Sequence, residues 1–431
     1  MSKVRFQDIV KQKDGFLRGP FGGDLKKDIF VEKSCDTYKV YEQGVVLNND
    51  ESIGRYYISN DYFKKKMYRF EVKPKDFLVS CSGVNYGAIH QLSENIEKGV
   101  INQALLRIRL DSEKVDDNYF YYLFKALIVN MIVGKKGDST IPNFPPLSVI
   151  KALEFELPEK DYQIQIGRLL SHLDNKIELN NRINAELEAM AKTLYDYWFV
   201  QFDFPDANGK PYKTSGGKMV YNSTLKREIP EGWEATPLSE VTPVSNQSVN
   251  PADYPDQVFR HYSIPVYDAT KTYGLEAGDT IGSNKFTVEE SDILVSKLNP
   301  WFSRVIYAME EEDIICSTEF IVWRTPNDNV KNFLYMVATS PQFVAHCTQS
   351  ATGTSNSHKR VNPGVMMRFE IPFKEEIAST LGEKLEPMIK QMVVNQRENT
   401  SLAKLRDWLL PMLMNGQVTV TSSTQSKAKE A

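Results

Sequence analysis

Apolar residues recur at alternating steps of four and three from Ile166 through Leu170, Leu173, Ile177, Leu187, Ala191 and Leu194 to Trp198, with Asn180 and Asn184 occupying two of the steps. The same stripe returns 215 residues later (381 minus 166) as Leu381, Leu385, Met388, Met392, Asn395, Asn399, Leu402, Arg406, Leu409 and Leu413, with no gap needed. This spacing keeps one face of a helix against a partner helix, and a polar Asn in such a seam gives up some stability to fix register and partner. Two matching seams in one chain predict two long helices that pair with each other. At 1.5 Å per residue, a seam of about 33 residues predicts a rod of roughly 50 Å.

The duplication extends beyond the helices. Asp76-Phe77-Leu78-Val79-Ser80 is echoed by Asp292-Ile293-Leu294-Val295-Ser296, and Phe155-Glu156-Leu157-Pro158 by Phe369-Glu370-Ile371-Pro372. Each half therefore reads as a mixed α/β globule closed by a strand and a proline, then followed by a long helix. The predicted order is a first globule over 1–159, a helix over 160–202, a linker over 203–228, a second globule over 229–373, a helix over 374–416 and a disordered tail over 417–431. The linker assignment rests on Pro205, Gly209, Pro211, Gly216 and Gly217 among polar residues, and the tail on its low apolar content.

Composition narrows the class. A chain of 431 residues exceeds one ordinary domain, and a net charge of −4 excludes a surface that is basic all over. Any nucleic-acid site must be local. Cys35, Cys81, Cys316 and Cys347 are far apart, with no CxxC pair and no signal peptide at the start, which fits a reducing cytoplasm. No apolar run approaches the roughly 18 residues of a membrane span, so no membrane partner is expected.

Catalytic motifs find little support. Asn299-Pro300-Trp301-Phe302 is similar to the Asn-Pro-Pro-aromatic motif of adenine methyltransferases, but the second proline is missing and no GxGxxG occurs. It is read instead as a turn after the strand at 292–296. There is no Walker motif and no HExxH, and the adjacent His346 and Cys347 read as two packed residues of a helix. No metal site is predicted.

Basic residues do cluster. Lys64, Lys65, Lys66 and Arg69 lie among Tyr62, Phe63, Met67 and Tyr68; Lys135 and Lys136 precede the polar turn that holds Ser139 and Thr140; and His358, Lys359 and Arg360 follow a turn that holds Ser355. Gly137 and Gly353 place those two turns 216 residues apart (353 minus 137). Lysines meet phosphates without regard to sequence, whereas Arg, Asn, Ser and Thr read base edges in the major groove. With Lys297, Asn299 and Arg304 beside the second strand, these are the candidate DNA-binding residues; each cluster taken singly reads more readily as a solvated face, and it is their recurrence in both halves that favours DNA. Leu173, Ile177, Asn180, Asn184, Leu187 and Leu194 are the candidate pairing residues of the first helix, and Met388, Met392, Asn395, Asn399, Leu402 and Leu409 those of the second. Apolar Ile183, Met190, Tyr195, Phe199, Leu405, Leu410 and Met414 lie outside the seam and predict further helices docking from a partner.

Taken in order, Arg18-Gly19-Pro20-Phe21-Gly22-Gly23-Asp24-Leu25-Lys26, Ile229-Pro230-Glu231-Gly232-Trp233, Asp292 to Lys297 and the two helix endings resemble the DNA specificity subunits of type I restriction-modification enzymes over nearly the whole chain. The resemblance implies an α+β protein with two mixed α/β target-recognition domains, joined by two long antiparallel coiled-coil helices in a pseudo-two-fold internal repeat. It also implies double-stranded DNA as ligand, read as two unlike half-sites around a fixed gap. Two modification subunits would bring S-adenosylmethionine, and two restriction subunits would bring ATP-driven, Mg-dependent cleavage. The chain itself would hold no cofactor and would work in a bacterial or archaeal cytoplasm. Arg406 opposite Ala191 in the repeat departs from interchangeable helices. A self-contained DNA methyltransferase or nuclease, and a scaffold with two protein-binding globules, remain as alternatives.

Overall fold

A computed structural model describes residues 2–83, 85–133, 145–325, 327–353 and 358–420, apart from the side chains of 22, 132 and 133. The contacts divide the chain into two units, Met1–Asn175 with Ala403–Ala431, and Lys176–Leu402. Each mixes helices and sheets.

In the first unit, Phe16–Arg18, Leu105–Ile108, Phe77–Ser80 and Ile89–Gln91 form an antiparallel sheet in that order. A second sheet runs Phe30–Val31, Tyr57–Ser59, Thr37–Tyr41 and Gly99–Ile101, and its last pair is parallel, with Lys39 opposite Gly99. The ends of the globule meet in an antiparallel ribbon, Ser2–Arg5 with Glu154–Leu157. Phe77, Phe120, Leu106 and Ile108 from the globule share one core with Ile166 and Leu170 of the helix Lys160–Tyr195 and with Leu413 of the helix Glu375–Met414.

The second unit repeats this plan. Its antiparallel sheet runs Val244–Ser245, Phe320–Arg324, Asp292–Ser296 and Val305–Tyr307. A five-stranded sheet holds the corresponding parallel pair, Val258–Tyr262 beside Ile314–Cys316. The closing ribbon is Glu234–Pro237 with Glu370–Phe373. Trp323, Phe333 and Leu334 pack with Leu381 and Leu385 of the second long helix and with Phe199 and Phe202 at the end of the first.

Buried chemistry repeats with the strands. Asp76 receives a two-pronged ion pair from Arg109 at 2.7 Å and the backbone N–H of Lys73 at 2.7 Å. Asp292 receives one from Arg324 at 3.0 Å and the N–H of Glu289 at 2.7 Å. Fully buried carboxylates need such partners, since an unpaired one is desolvated at large cost. Each long helix also carries a glycine where it crosses a shorter one. A Cβ at Gly167 would lie 2.7 Å from the Tyr119 nitrogen, and one at Gly382 only 1.9 Å from the Asn329 oxygen.

The seam is antiparallel where it can be read. Within the second unit Asn180 donates to Glu398 at 2.7 Å and to the Asn399 side chain at 2.9 Å, while Asn395 donates to Asn184 at 2.8 Å. Each step up one helix is thus matched by a step down the other. Asn180 and Asn395 are buried, as is Met392; Leu187, Leu194 and Met388 pack against the second unit's core, while Leu173, Ile177 and Leu402 remain half-exposed. Within the first unit Arg406 pairs with Asp174 at 2.6 Å and Leu409 packs on the core. Ala191, at the matching step, is buried in the second unit. The departure at this step therefore reflects different surroundings.

Three expectations change. Residues 203–228 are not a bare linker: Met219–Asn222 pairs with Arg227–Pro230, and Phe202, Phe204 and Tyr212 pack around Trp233 or its neighbours. The glycines and prolines there mark turns, which says nothing about whether the aromatics between them find a core. Residues 417–420, assigned to the tail, are docked, with the Tyr162 hydroxyl donating to the Val418 carbonyl at 2.9 Å; 421–431 lie outside the described residues. Tyr195 and Phe199, taken as free for a partner, are buried against Phe333, whereas Met190, Leu405 and also Trp408 stay exposed.

Candidate nucleic-acid interface

In the first unit the basic run is carried on a widened helical turn, Phe63–Met67. Phe63 and Met67 point inward, Phe63 stacking on Tyr38 with ring centroids 3.8 Å apart, so Lys64, Lys65 and Lys66 are left exposed together with Arg69. The Tyr62 hydroxyl donates to the Asp24 carbonyl at 2.6 Å, tying this turn to the Gly19–Lys26 segment. That segment holds Phe21 at 89% exposure, a residue sequence reasoning used only as a family marker. A Cβ at Gly19 would lie 1.7 Å from the Asn102 carbonyl oxygen, so only glycine allows this approach. Beside the run, a cleft of about 420 Å³ is lined by Tyr68, Arg69 and Lys73 over the buried Arg107 and Arg109. Lys135, Lys136, Ser139 and Thr140 lie outside the described residues.

In the second unit the structure gathers six of the named residues around the exit of the strand Asp292–Ser296. Asn299 donates its N–H to the Lys359 carbonyl at 2.7 Å, and its side-chain oxygen accepts the Lys359 N–H at 3.0 Å. Leu298 bridges Arg360, and Val361 donates to the Lys297 carbonyl, so two segments about 60 residues apart in sequence form one surface with His358. Ser355 lies outside the described residues.

The two arginines here are not free. Arg360 grips Glu319 through two bonds of 2.9 Å, and Arg304 grips Asp268 at 2.6 and 2.8 Å. These bonds hold the Glu319 and Asp268 carboxyls below their ordinary range, with Lys297 and His358 adding to the effect on Glu319 and Lys271 to that on Asp268. Arg360 remains exposed, but the Arg304 side chain is nearly covered, and its guanidinium lies 4.6 Å from the Phe302 ring centroid. Arg304, expected to read DNA, is placed as a support for Phe302. The Asn-Pro-Trp-Phe segment is a turn, as expected from the missing second proline. The His346 Nε2 donates to the Val365 carbonyl at 3.0 Å, and Cys347 is buried beside it.

Among the described residues no helix is long and apolar enough to cross a membrane, and no group of His, Cys, Asp and Glu could hold a metal ion.

A family model described as the type I restriction modification DNA specificity domain matches residues 89–189. The Type I restriction enzyme MjaIX specificity subunit of Methanocaldococcus jannaschii is 25% identical over 86% of this chain and 83% of its own. The HindI specificity subunit of Haemophilus influenzae is 20% identical over 92% and 98%. The crystal structure of a type I restriction-modification S subunit from M. genitalium shares the fold, with a TM-score of 0.62 at 14% identity over 98% of this chain and 96% of that one. With two units built on one plan and a paired-helix seam, the chain is similar over most of its length to the specificity subunits of type I restriction-modification enzymes.

Proposed function

We propose that this chain reads a bipartite, asymmetric DNA sequence for a type I restriction-modification complex, each unit taking one half-site while the long helices set the unread gap. One observation carries the reading: the two units repeat the order of their four-stranded antiparallel sheet and a buried Asp–Arg pair, yet present different side chains at the matching strand exits. A duplicated frame with diverged surface residues is what two unlike half-sites require. In this reading, Lys64, Lys65, Lys66, Lys297 and Lys359 meet phosphates, and Arg69, Asn299 and Arg360 are the nearer candidates for base contacts.

The chain acts without catalysis of its own. Two modification subunits would supply S-adenosylmethionine and methylate adenine, and two restriction subunits would supply ATP- and Mg-dependent cleavage. The exposed apolar residues Met190, Leu405 and Trp408 of the long helices are candidate contacts for those partners.

The test is to map methylated adenines across a genome with and without this gene, alongside its modification partner. Loss of a motif made of two unlike halves around a fixed gap supports the reading; an unchanged pattern overturns it. Lengthening both helices by four residues, about one turn or 6 Å, should shift the preferred gap by about one or two base pairs. Replacing Lys359 and Arg360 should weaken binding and flatten its salt dependence.

A further inference from the structure

The turn after the strand Asp292–Ser296 is built against its own backbone preferences. Asn299 and Ser303 both sit in the left-handed region, at φ 49° and 47°, flanking the short 3-10 turn Pro300–Phe302. Non-glycine residues persist there when their surroundings over-determine them, and such outliers gather at functional positions. Here the surroundings are explicit. Asn299 is clamped from both sides by the Lys359 backbone, Pro300 is buried, and the Ser303 N–H is held by the Pro300 carbonyl at 2.9 Å. The result is two aromatic rings in water, Trp301 at 38% and Phe302 at 59% exposure, with centroids 6.0 Å apart. Arg304 stacks under Phe302 and is fixed by Asp268 and by the Leu298 carbonyl at 3.2 Å.

Exposed aromatics could face a protein or a nucleic acid, and charge decides. The two carboxylates of this surface, Asp268 and Glu319, are each taken up by an arginine. Lys271 lies near Asp268, Lys297 near Glu319, and the Lys359 backbone is bonded to Asn299, so lysines remain on this surface beside the arginine–carboxylate pairs. Lysines on the same surface as apolar rings match the phosphates and bases of nucleic acid, where apolar side chains wedge into base steps. In the first unit the matching strand exit is left-handed Gly83, and the following Tyr86 is half-buried rather than projecting.

We propose that Trp301 and Phe302 form an aromatic wedge that presses into one base step of the second unit's half-site, with Phe302 the leading ring and Arg304 its positioning residue. This rests on the DNA-reading role proposed above. The wedge confines local unstacking to one half-site, and it favours a pyrimidine–purine step, which unstacks most easily.

The experiment uses the full chain assembled with its modification subunit and the duplex found by methylation mapping. 2-Aminopurine is placed in turn at each step of both half-sites. The wild type should brighten the probe at one step only, in one half. Phe302→Ala should abolish the signal and lower affinity roughly tenfold, as loss of one base–aromatic contact does, while leaving the dependence on salt unchanged because no charge is lost. Phe302→Trp should restore the signal. Alanine variants of Trp301 and Phe302 that keep wild-type affinity, base preference and fluorescence overturn the wedge. So do variants that bind DNA normally but lose the modification subunit, which would make the turn a protein contact. If instead the wild-type assembly shows no sequence-selective, salt-sensitive binding at all, the DNA-reading role itself fails.

Discussion

The two units solve the same interior problem in different ways at one point. Four residues after its capping residue, the helix Asp117–Leu123 of the first unit buries Phe120 against Phe77 and Phe6. Four residues after Asn327, the helix Asp328–Thr339 of the second unit buries Lys331, whose ammonium is held by the Glu290 and Ala308 carbonyls beneath the Tyr307 ring. Around this difference the order of the four-stranded antiparallel sheet, the Asp–Arg pair and the glycine crossing are the same. What repeats is the part that no alternative arrangement could satisfy, a buried carboxylate and a close backbone approach. What differs is the part that packing can rebalance locally or that faces solvent.

Breaking the repeated ion pair should have the largest effect, and it should differ between the units. Asp76 serves both Arg107 and Arg109, which are almost fully buried, so Asp76→Ala leaves two cations to the single, more exposed carboxylate of Asp14 and should cost about 3 kcal/mol in urea unfolding. Arg324 keeps Glu289 and Gln247, so Asp292→Ala should cost less. Equal losses would show that the pairs are not sustained by their surroundings as described.

Lys331 sharpens the comparison through pH. Burial pulls its pKa from 10.5 to about 8. Between those values the unfolded chain binds more protons than the folded one, so this residue's contribution to stability grows as pH rises through about 8 to 10.5 and is withdrawn as pH falls. The stability difference between wild type and Lys331→Met should therefore move in the wild type's favour by about 2–3 kcal/mol from pH 7.5 to pH 10.5. A flat difference across that range would place the proton elsewhere.

Smaller effects belong to the helices. Asn180→Leu leaves the Asn399 side-chain oxygen without this donor, while Glu398 keeps Lys176, and should cost about 1 kcal/mol. Replacing Asn184 and Asn395 together by Leu removes both partners of one bond, and should change stability little while allowing concentration-dependent association seen by light scattering, since register is then less specified. Arg406→Ala removes a half-buried pair with Asp174 and should cost about 1 kcal/mol, less at high salt.

How much of this was legible can be traced residue by residue. The seams were, because a helix repeat is a local property that periodicity reports directly, and the paired asparagines gave the partner. The duplication was legible wherever strands kept the same residues. The buried Asp–Arg pair was half visible, in the repeated Asp of Asp76 and Asp292. The roles of Arg304 and Arg360 were not, because their partners Asp268 and Glu319 lie 36 and 41 residues away and nothing in local composition selects them. Tyr195 and Phe199 read as an open stripe for the same reason, and the glycines of 203–228 hid a segment that Trp233 draws into a core.

The sequence by itself determined the two long helices, that they pair with each other, the duplication and the resemblance to specificity subunits, since each is written in spacing or in short ordered motifs. Only the tertiary structure decided which charges are free, which aromatics face water and where chain segments dock. Those outcomes depend on distant groups competing for the same neighbour, and on which rings a rigid turn keeps out of the core.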